Sequence, residues 1–416
     1  MSFIHTLWNR LNEFWDKNYL YAAGIKIITA VQFMVLAKLV ALKLSLADVG
    51  IFFLMYNSAF LISALLFSTY SASLLRYYSI IRDKPLLYKS VLGQLWVVAF
   101  ILILASIYSC YFYKDTIGYP VTLGYAASLG FLSILTTKFR VATQFKQLFY
   151  FLALNSLILA SVVVMSVLYV NLSPELIIGC LAISTFVSLG YYVLCNGNSV
   201  RRVLQKSYDK KIAQSLFIYG IPFVFLAVSN IVISTNGQFM LKYFGHGDEV
   251  GIYATNYNIG EKGVFLWFSL LVMVNVPKIY HAHENYGRFA AWDTIRNCMV
   301  ILGICGGIVL VFAFFWSREL SAFFSSDEIS NLGHWIIPST VISAVLLGFC
   351  SLLSELLFIE RKSRTVAFCY VASSIISIVL SYLFISAYGL VGAVLGPIVS
   401  NMLLLSMILI CLKKNK

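Results

Sequence analysis

The sequence predicts an all-α integral membrane protein of twelve transmembrane helices, built as two parallel six-helix bundles related by pseudo-twofold symmetry. Three observations predict it. The 416 residues are 60% hydrophobic and 11% charged, whereas soluble domains are about half apolar and about a quarter charged. The apolar residues fall into runs of about 20, the length that crosses a bilayer as a helix. A repeat then divides the chain. Asp48-Val49-Gly50-Ile51-Phe52 continues to Tyr56-Asn57, and Glu249-Val250-Gly251-Ile252-Tyr253 continues to Tyr257-Asn258, at a constant offset of 201. In each copy a long apolar run ends, a polar turn follows, and a second run begins. Repeated bundles of this kind bind substrate between the copies.

The elements follow in order. Residues 1–18 carry Trp8, Phe14 and Trp15 beside Arg10, Glu13 and Asp16. This amphipathic segment lacks the apolar core and small-residue cleavage site of a signal peptide, and reads as an interfacial helix. Six spans are expected near 19–42, 49–72, 88–112, 119–137, 147–170 and 175–195, forming an N-terminal bundle over 19–195. A basic linker covers 196–212 and rests on anionic headgroups. Six more spans are expected near 213–241, 250–276, 297–316, 331–358, 365–386 and 390–412, forming a C-terminal bundle over 213–416. The repeat offset crosses six spans, an even number, so the bundles are parallel.

Charge tests the count. With both termini on the cytoplasmic side, 23 of the 30 Lys and Arg fall in inside segments and 4 in outside ones; the other three are Lys26, Lys38 and Lys262. That asymmetry is the positive-inside pattern. It accounts for most of the net charge of +13 without a nucleic-acid partner. The eight cysteines form no C-x-x-C pair, so neither a disulfide framework nor a zinc site is expected. His281-Ala282-His283-Glu284 reads as a solvated loop without a fourth metal ligand. There is no G-x-x-x-x-G-K-[ST], so direct ATP hydrolysis is not expected. No metal and no cofactor are expected.

Three stretches together carry a family resemblance. They are LSLADVGIFFLMYNSA (Leu44–Ala59), FMLKYFGHGDEVGIYATNYNIGEKG (Phe239–Gly263) and YGLVGAVLGPIVSNMLL (Tyr388–Leu404). With the span count, the repeat and Pro277 at the end of the eighth span, the chain resembles the multidrug/oligosaccharidyl-lipid/polysaccharide (MOP) exporter superfamily. Within it the chain is most similar to the Wzx-type O-antigen and polysaccharide flippases. It departs from many relatives near the end of the seventh span, where Asn236-Gly237-Gln238 stands in place of an acidic-basic pair.

The resemblance implies a MATE-like fold in a bacterial inner membrane. It also implies cargo of undecaprenyl-pyrophosphate-linked oligosaccharide, and coupling to a proton or sodium gradient. Membrane lipids, a polysaccharide polymerase and a chain-length regulator are the further partners it implies, with no nucleic acid. A drug or metabolite antiporter of the same superfamily is the first rival, and a membrane-embedded polysaccharide-biosynthesis enzyme the second. A cationic cavity argues against organic cations as cargo. The longest expected outward loop, around 317–330, is short for an enzyme site.

Ionisable residues deep in a span cost about 2.5–3.5 kcal/mol on insertion scales, so they face a cavity or a partner. Lys262 lies mid-span on a stripe with Thr255, Asn258 and Ser269; it faces a wet cavity or locks two helices in an ion pair. Glu261 adjoins it but is expected about 100° around the helix, on a face with Ala254, Tyr257 and Phe268. It binds a coupling cation or pairs with a lysine of another helix. Lys26 sits about 12 Å into the first span among small residues. It lines the cavity or snorkels, as does Lys38, five residues from Lys43. Arg76 anchors the topology or guards the mouth. Glu355 serves ion coupling or bridges to the basic loop Arg361–Arg364. If the cargo carries a pyrophosphate, Lys26, Lys38, Lys262 and Arg76 offset its desolvation by Coulomb attraction. Asn258 and Tyr257 would then meet the sugars, or serve as plain interhelical hydrogen bonders. Gly220-Ile221-Pro222, Pro338 and Pro397 are candidate bends.

Overall fold

The computed structural model describes residues 17–112, 118–169 and 172–413. The interfacial segment expected over 1–18 lies outside them except for its last residues, where the first helix begins. The described residues form thirteen helices. The first six are α1 (Lys17–Lys43), α2 (Leu46–Ile80), α3 (Lys84–Phe112), α4 (Gly118–Val141), α5 (Phe145–Tyr169) and α6 (Pro174–Cys195). The short α7 (Gly197–Leu204) lies in the linker. The second half holds α8 (Lys210–Tyr243), α9 (Gly247–Phe324), the short α10 (Asp327–Gly333), α11 (Ile336–Ile359), α12 (Ser363–Tyr388) and α13 (Leu390–Lys413).

The long helix α9 is two arms. Gly287 breaks it at φ 80°, ψ −172°, a conformation open to glycine and strained for other residues. The first arm, 247–286, runs from the end of the molecule farthest from the termini (the distal end) back to the terminal end. The second arm, 288–324, returns. Eleven stretches of the described residues are long and apolar enough to cross a membrane, and the first arm of α9 is the twelfth crossing. The chain is thus a multi-pass membrane protein with six crossings in each half.

Several local expectations are corrected. The eighth span, expected to end near Pro277, continues to Gly287. The His281–Glu284 stretch is helical rather than looped, and Asn285 Nδ2 donates to the His281 carbonyl at 3.1 Å. The expected outward loop around 317–330 is largely helix, ending α9 and starting α10. Pro222 and Pro397 lie inside continuous helices; the breaks from helical geometry fall at Gly287 and Trp316 instead.

Polar residues at helix ends explain where the helices start. The Ser45 hydroxyl accepts from the Asp48 amide at 3.2 Å and caps α2. Asp209 Oδ1 accepts from the amides of Lys211 and Ile212 at 2.8 and 3.1 Å and caps α8. Such caps satisfy amides that have no carbonyl four residues back. The linker is fixed to the first half: Lys206 Nζ lies 2.6 Å from Asp83 Oδ2. That bond holds the exposed Asp83 carboxyl below its usual range, helped by the Leu86 amide.

The halves meet along two lines. Helix α2 packs along α8 and crosses the start of α9, while α1 packs on the first arm of α9. The crossing of α2 and α9 brings the repeat against itself. A Cβ on Gly50 would lie 3.1 Å from the Gly247 carbonyl oxygen and 3.2 Å from the Gly251 nitrogen. A Cβ on Gly251 would overlap the Leu46 carbonyl oxygen. Glycine at both repeat positions is what lets the two backbones touch, as small residues do in membrane helix pairs. The pseudo-twofold axis therefore passes between Gly50 and Gly251. Lipid-facing helices stay apolar outside, as the exposure of Leu194, Trp96 and Phe314 shows. Buried serines and asparagines join the helices inside the C-terminal half, among them Asn236 to Ser377 at 2.8 Å and Asn401 to Ser343 Oγ at 3.0 Å.

Two outcomes are expected. Gly251→Val separates α2 from α9 and lowers the thermal stability of the purified protein by about 1–3 kcal/mol; an unchanged melting temperature contradicts the close crossing. Because the Asp83 carboxyl is held low, its contribution is complete above the ordinary carboxylate range and is lost as pH falls through the lowered value. Hydrogen exchange across 197–209 should therefore quicken only at acid pH in the native protein, and already at neutral pH in Asp83→Asn.

Candidate functional site

Below the glycine crossing the two copies of the repeat diverge around a chamber with about 1030 Å³ of empty space, including the part that opens to solvent. Tyr56 and Asn57 of α2 line it from one half, and their repeat counterparts Tyr257 and Asn258 of α9 from the other. Asn230, Gln238 and Ser234 of α8 and Ser351 of α11 add polar lining, while Phe60, Phe265 and Phe268 supply aromatic walls. Asn57 Nδ2 donates to Gln238 Oε1 at 2.7 Å, a buried bond between the halves. Among the described residues the side-chain oxygen Oδ1 of Asn230 is buried without a hydrogen-bond partner. Tyr56 packs on Tyr125 and Phe60 with ring centroids 5.8 and 4.9 Å apart.

Glu261 and Lys262 both line this chamber. Lys262 Nζ is 3.3 Å from Glu261 Oε2 and lies over the Phe33 and Phe265 rings at 5.3 and 5.9 Å. The expected 100° separation of Glu261 from Lys262 does not keep them apart, because both long side chains bend toward each other. Nor is the stripe through Lys262 a uniformly wet face. Thr255 is completely buried with its hydroxyl unpaired, and Asn258 donates to the Ala254 carbonyl at 2.7 Å. The charge at the centre of the chamber is thus a neutral pair surrounded by amides and tyrosines.

A second group lies toward the terminal end. Arg140 of α4 sits within electrostatic range of Lys26 of α1 and of Glu355 of α11. Tyr280 of α9 is within range of Glu355 and Arg76, and the Arg76 guanidinium lies 4.9 Å over the Tyr219 ring of α8. Both halves therefore contribute to this mouth, with three cations from the first and one carboxylate from the second. Arg140 and Arg76 are exposed, and Lys26 and Glu355 are half-buried. Among the described residues Glu355 forms no ion pair with the basic loop. Glu360 does instead, 2.8 Å from Lys362 and 2.9 Å from Arg288.

Lys38 lies apart from both groups. Its ammonium is at the distal end, donating to the carbonyls of Ala322 and Ser325 at 2.8 and 2.6 Å. Sequence alone does not single out three residues of these groups. Arg140 was counted with the topological charges. Tyr56 and Asn57 were signalled by the repeat itself, as the counterparts of Tyr257 and Asn258. Among the described residues no group of His, Cys, Asp and Glu could hold a metal ion.

A family model described as MatE matches residues 263–383. Solved structures match nearly the whole chain. An inward-facing multidrug resistance MATE family transporter of the MOP superfamily is 14% identical, covering 95% of this chain and 94% of its own, with a TM-score of 0.67. The lipid II flippase MurJ in an inward closed conformation is 13% identical, covering 95% and 87%, with a TM-score of 0.65. A MOP superfamily transporter from Pyrococcus furiosus, described as having a binding pocket of reverse polarity, is 14% identical, covering 94% of each chain, with a TM-score of 0.67. No curated protein matches in sequence. The chain therefore has the fold of the MOP-superfamily transporters, and its C-terminal half carries the MatE match.

The Asn57–Gln238 bond gives a direct test of the chamber's architecture. Either Asn57→Ala or Gln238→Ala leaves a buried amide unpaired and should destabilise by about 1–3 kcal/mol. The double variant should lose less than the sum of the two. Strict additivity in denaturation of the purified protein would show that the two amides do not meet.

Proposed function

We propose that this protein is a flippase for undecaprenyl-pyrophosphate-linked oligosaccharide in a bacterial inner membrane, with both termini cytoplasmic. The carrying observation is the contrast between two environments that both halves build. The chamber offers amides, hydroxyls and aromatic faces around a neutral ion pair, while the separate cluster toward the terminal end brings Lys26, Arg76 and Arg140 near a single carboxylate, Glu355. A glycan needs hydrogen-bonding groups and ring faces. A pyrophosphate needs uncompensated positive charge, which attracts it more strongly here than in bulk water. The order of the two matches a cargo whose sugars enter first and whose phosphates follow, with the lipid tail left in the bilayer. Lys26 and Arg140 hold the phosphates and Arg76 guards the entrance. Tyr56, Asn57, Tyr257 and Asn258 meet the sugars from both halves, with Lys262 kept in register by Glu261. Glu261 and Glu355 are the carboxylates available to a coupling proton or sodium ion. The positive-inside charge pattern supports the orientation. Proteins of this fold include a lipid II flippase and multidrug transporters, and their class is transport rather than catalysis.

One observation favours a second reading. Glu261 faces the chamber beside aromatic rings, an arrangement suited to an organic cation, so drug antiport is the alternative.

Depletion of the protein in its host separates the readings. A flippase predicts lipid-linked oligosaccharide accumulating on the cytoplasmic face, loss of surface glycan and intact synthesis. Drug sensitivity without that accumulation supports the antiporter. Lys26→Ala and Arg140→Ala should each lower glycan translocation on the order of tenfold, since a charge-assisted contact contributes roughly 1.5–3 kcal/mol. Lys26→Arg should retain most of it.

A further inference from the structure

The halves touch at both ends of the chamber, by different contacts. At the terminal end α2 packs on the start of α8, where a Cβ on Gly220 would overlap the Thr69 carbonyl oxygen and the Ser73 hydroxyl donates to the Leu216 carbonyl. There Arg140 and Glu355 stand on opposite halves, and among the described residues neither forms an ion pair. At the distal end the halves touch, through the Gly50–Gly251 crossing and through Lys38. Lys38 belongs to α1 of the first half, and its two acceptors close the second arm of α9 in the other half. The Ala322 and Ser325 carbonyls are at a helix C-terminus, where carbonyls lack intrahelical donors and the helix dipole favours a cation. Ser325 has already left helical geometry, at φ −136°, ψ −156°.

The contact continues inward. The Ser325 hydroxyl donates to the Ser321 carbonyl at 2.6 Å, and the Ser321 hydroxyl donates to Asn256 Oδ1 at 2.6 Å. Asn256 Nδ2 donates to the Ile252 carbonyl at 3.0 Å. Ser325, Ser321 and Asn256 are completely buried. Asn256 directly precedes Tyr257 and Asn258 in the chamber wall. Ser325 and Ser321, each bonded through both its carbonyl and its hydroxyl, therefore link the ammonium on α1 to the repeat copy that lines the chamber.

We propose that Lys38 is the latch of the distal closure: its bond to the C-terminus of α9 holds the halves together there, and its release lets the chamber open on that side. Lysine suits a bond that must be broken and remade. No carboxylate shares the contact among the described residues, so release leaves no buried countercharge. Lys38 is five residues from the end of α1, about 8 Å along the axis, so its long side chain reaches water once freed. The uncovered carbonyls reach water as the halves part. The proposal rests on the chamber being a transport route.

The test is thiol accessibility, which needs no substrate. With all cysteines replaced, Ser351→Cys in the chamber wall reports labelling by a membrane-impermeant maleimide from each side of oriented vesicles. With Lys38 present, labelling should come from the terminal side. Lys38→Met removes the donor and the charge at similar length, and should raise distal-side labelling on the order of tenfold. Lys38→Arg should stay near the parent. Lys38→Gln, which keeps a donor without charge, should fall between and stands in if the Met variant does not fold. Terminal-side labelling verifies that each variant retains its chamber. Unchanged distal labelling in the folded Met or Gln variant overturns the latch, whatever cargo the depletion experiment identifies.

Discussion

Charge inside an apolar slab must be paired, bound to backbone dipoles, or reached by water, and the rest of this structure depends on how that constraint is met. Each solution occurs at a different depth. At the centre Lys262 and Glu261 neutralise each other. At the distal end Lys38 binds two helix-terminal carbonyls. At the terminal end Lys26, Arg76 and Arg140 outnumber Glu355, with the two arginines exposed and Lys26 and Glu355 half-buried. In the proposed mechanism this excess of cations over carboxylates makes the terminal end rather than the centre the anion-binding region.

The repeat gives the constraint its geometry. Gly50 and Gly251 permit backbone contact on the pseudo-twofold axis, and six residues further along each copy begins a Tyr-Asn pair that faces the chamber. One motif thus both joins the halves and lines the space between them. The Asn57–Gln238 bond and the Lys38 contact add polar joints to the same interface, and polar joints can be exchanged for water when halves move apart.

Much of this was legible in the sequence, for identifiable reasons. Span number follows from apolar length, which is a one-dimensional property. The boundaries missed where helices outlast the bilayer, as α2 does to Ile80 and the first arm of α9 does to Gly287. The chamber's location was legible from the repeat, yet Tyr56 and Asn57 were passed over because they carry no charge. Arg140 was hidden among topology residues, since depth in the fold and distance from a helix end are different quantities. That Glu261 meets Lys262 was not legible, because helical angle fixes the Cβ and not the carboxylate. The partners of Lys38 were beyond sequence reasoning: they are backbone carbonyls 284 and 287 residues away, and any residue type supplies a carbonyl.

The most direct measurement is transport by the purified protein in liposomes that contain no other protein. Labelled polyprenyl-pyrophosphate oligosaccharide is placed in one leaflet under an imposed ion gradient, and its appearance in the other leaflet is followed by access of a membrane-impermeant quencher. An organic cation is assayed in parallel vesicles. The account predicts that the lipid-linked glycan crosses and that the organic cation does not. Movement of the cation with the glycan lipid left in place would contradict it.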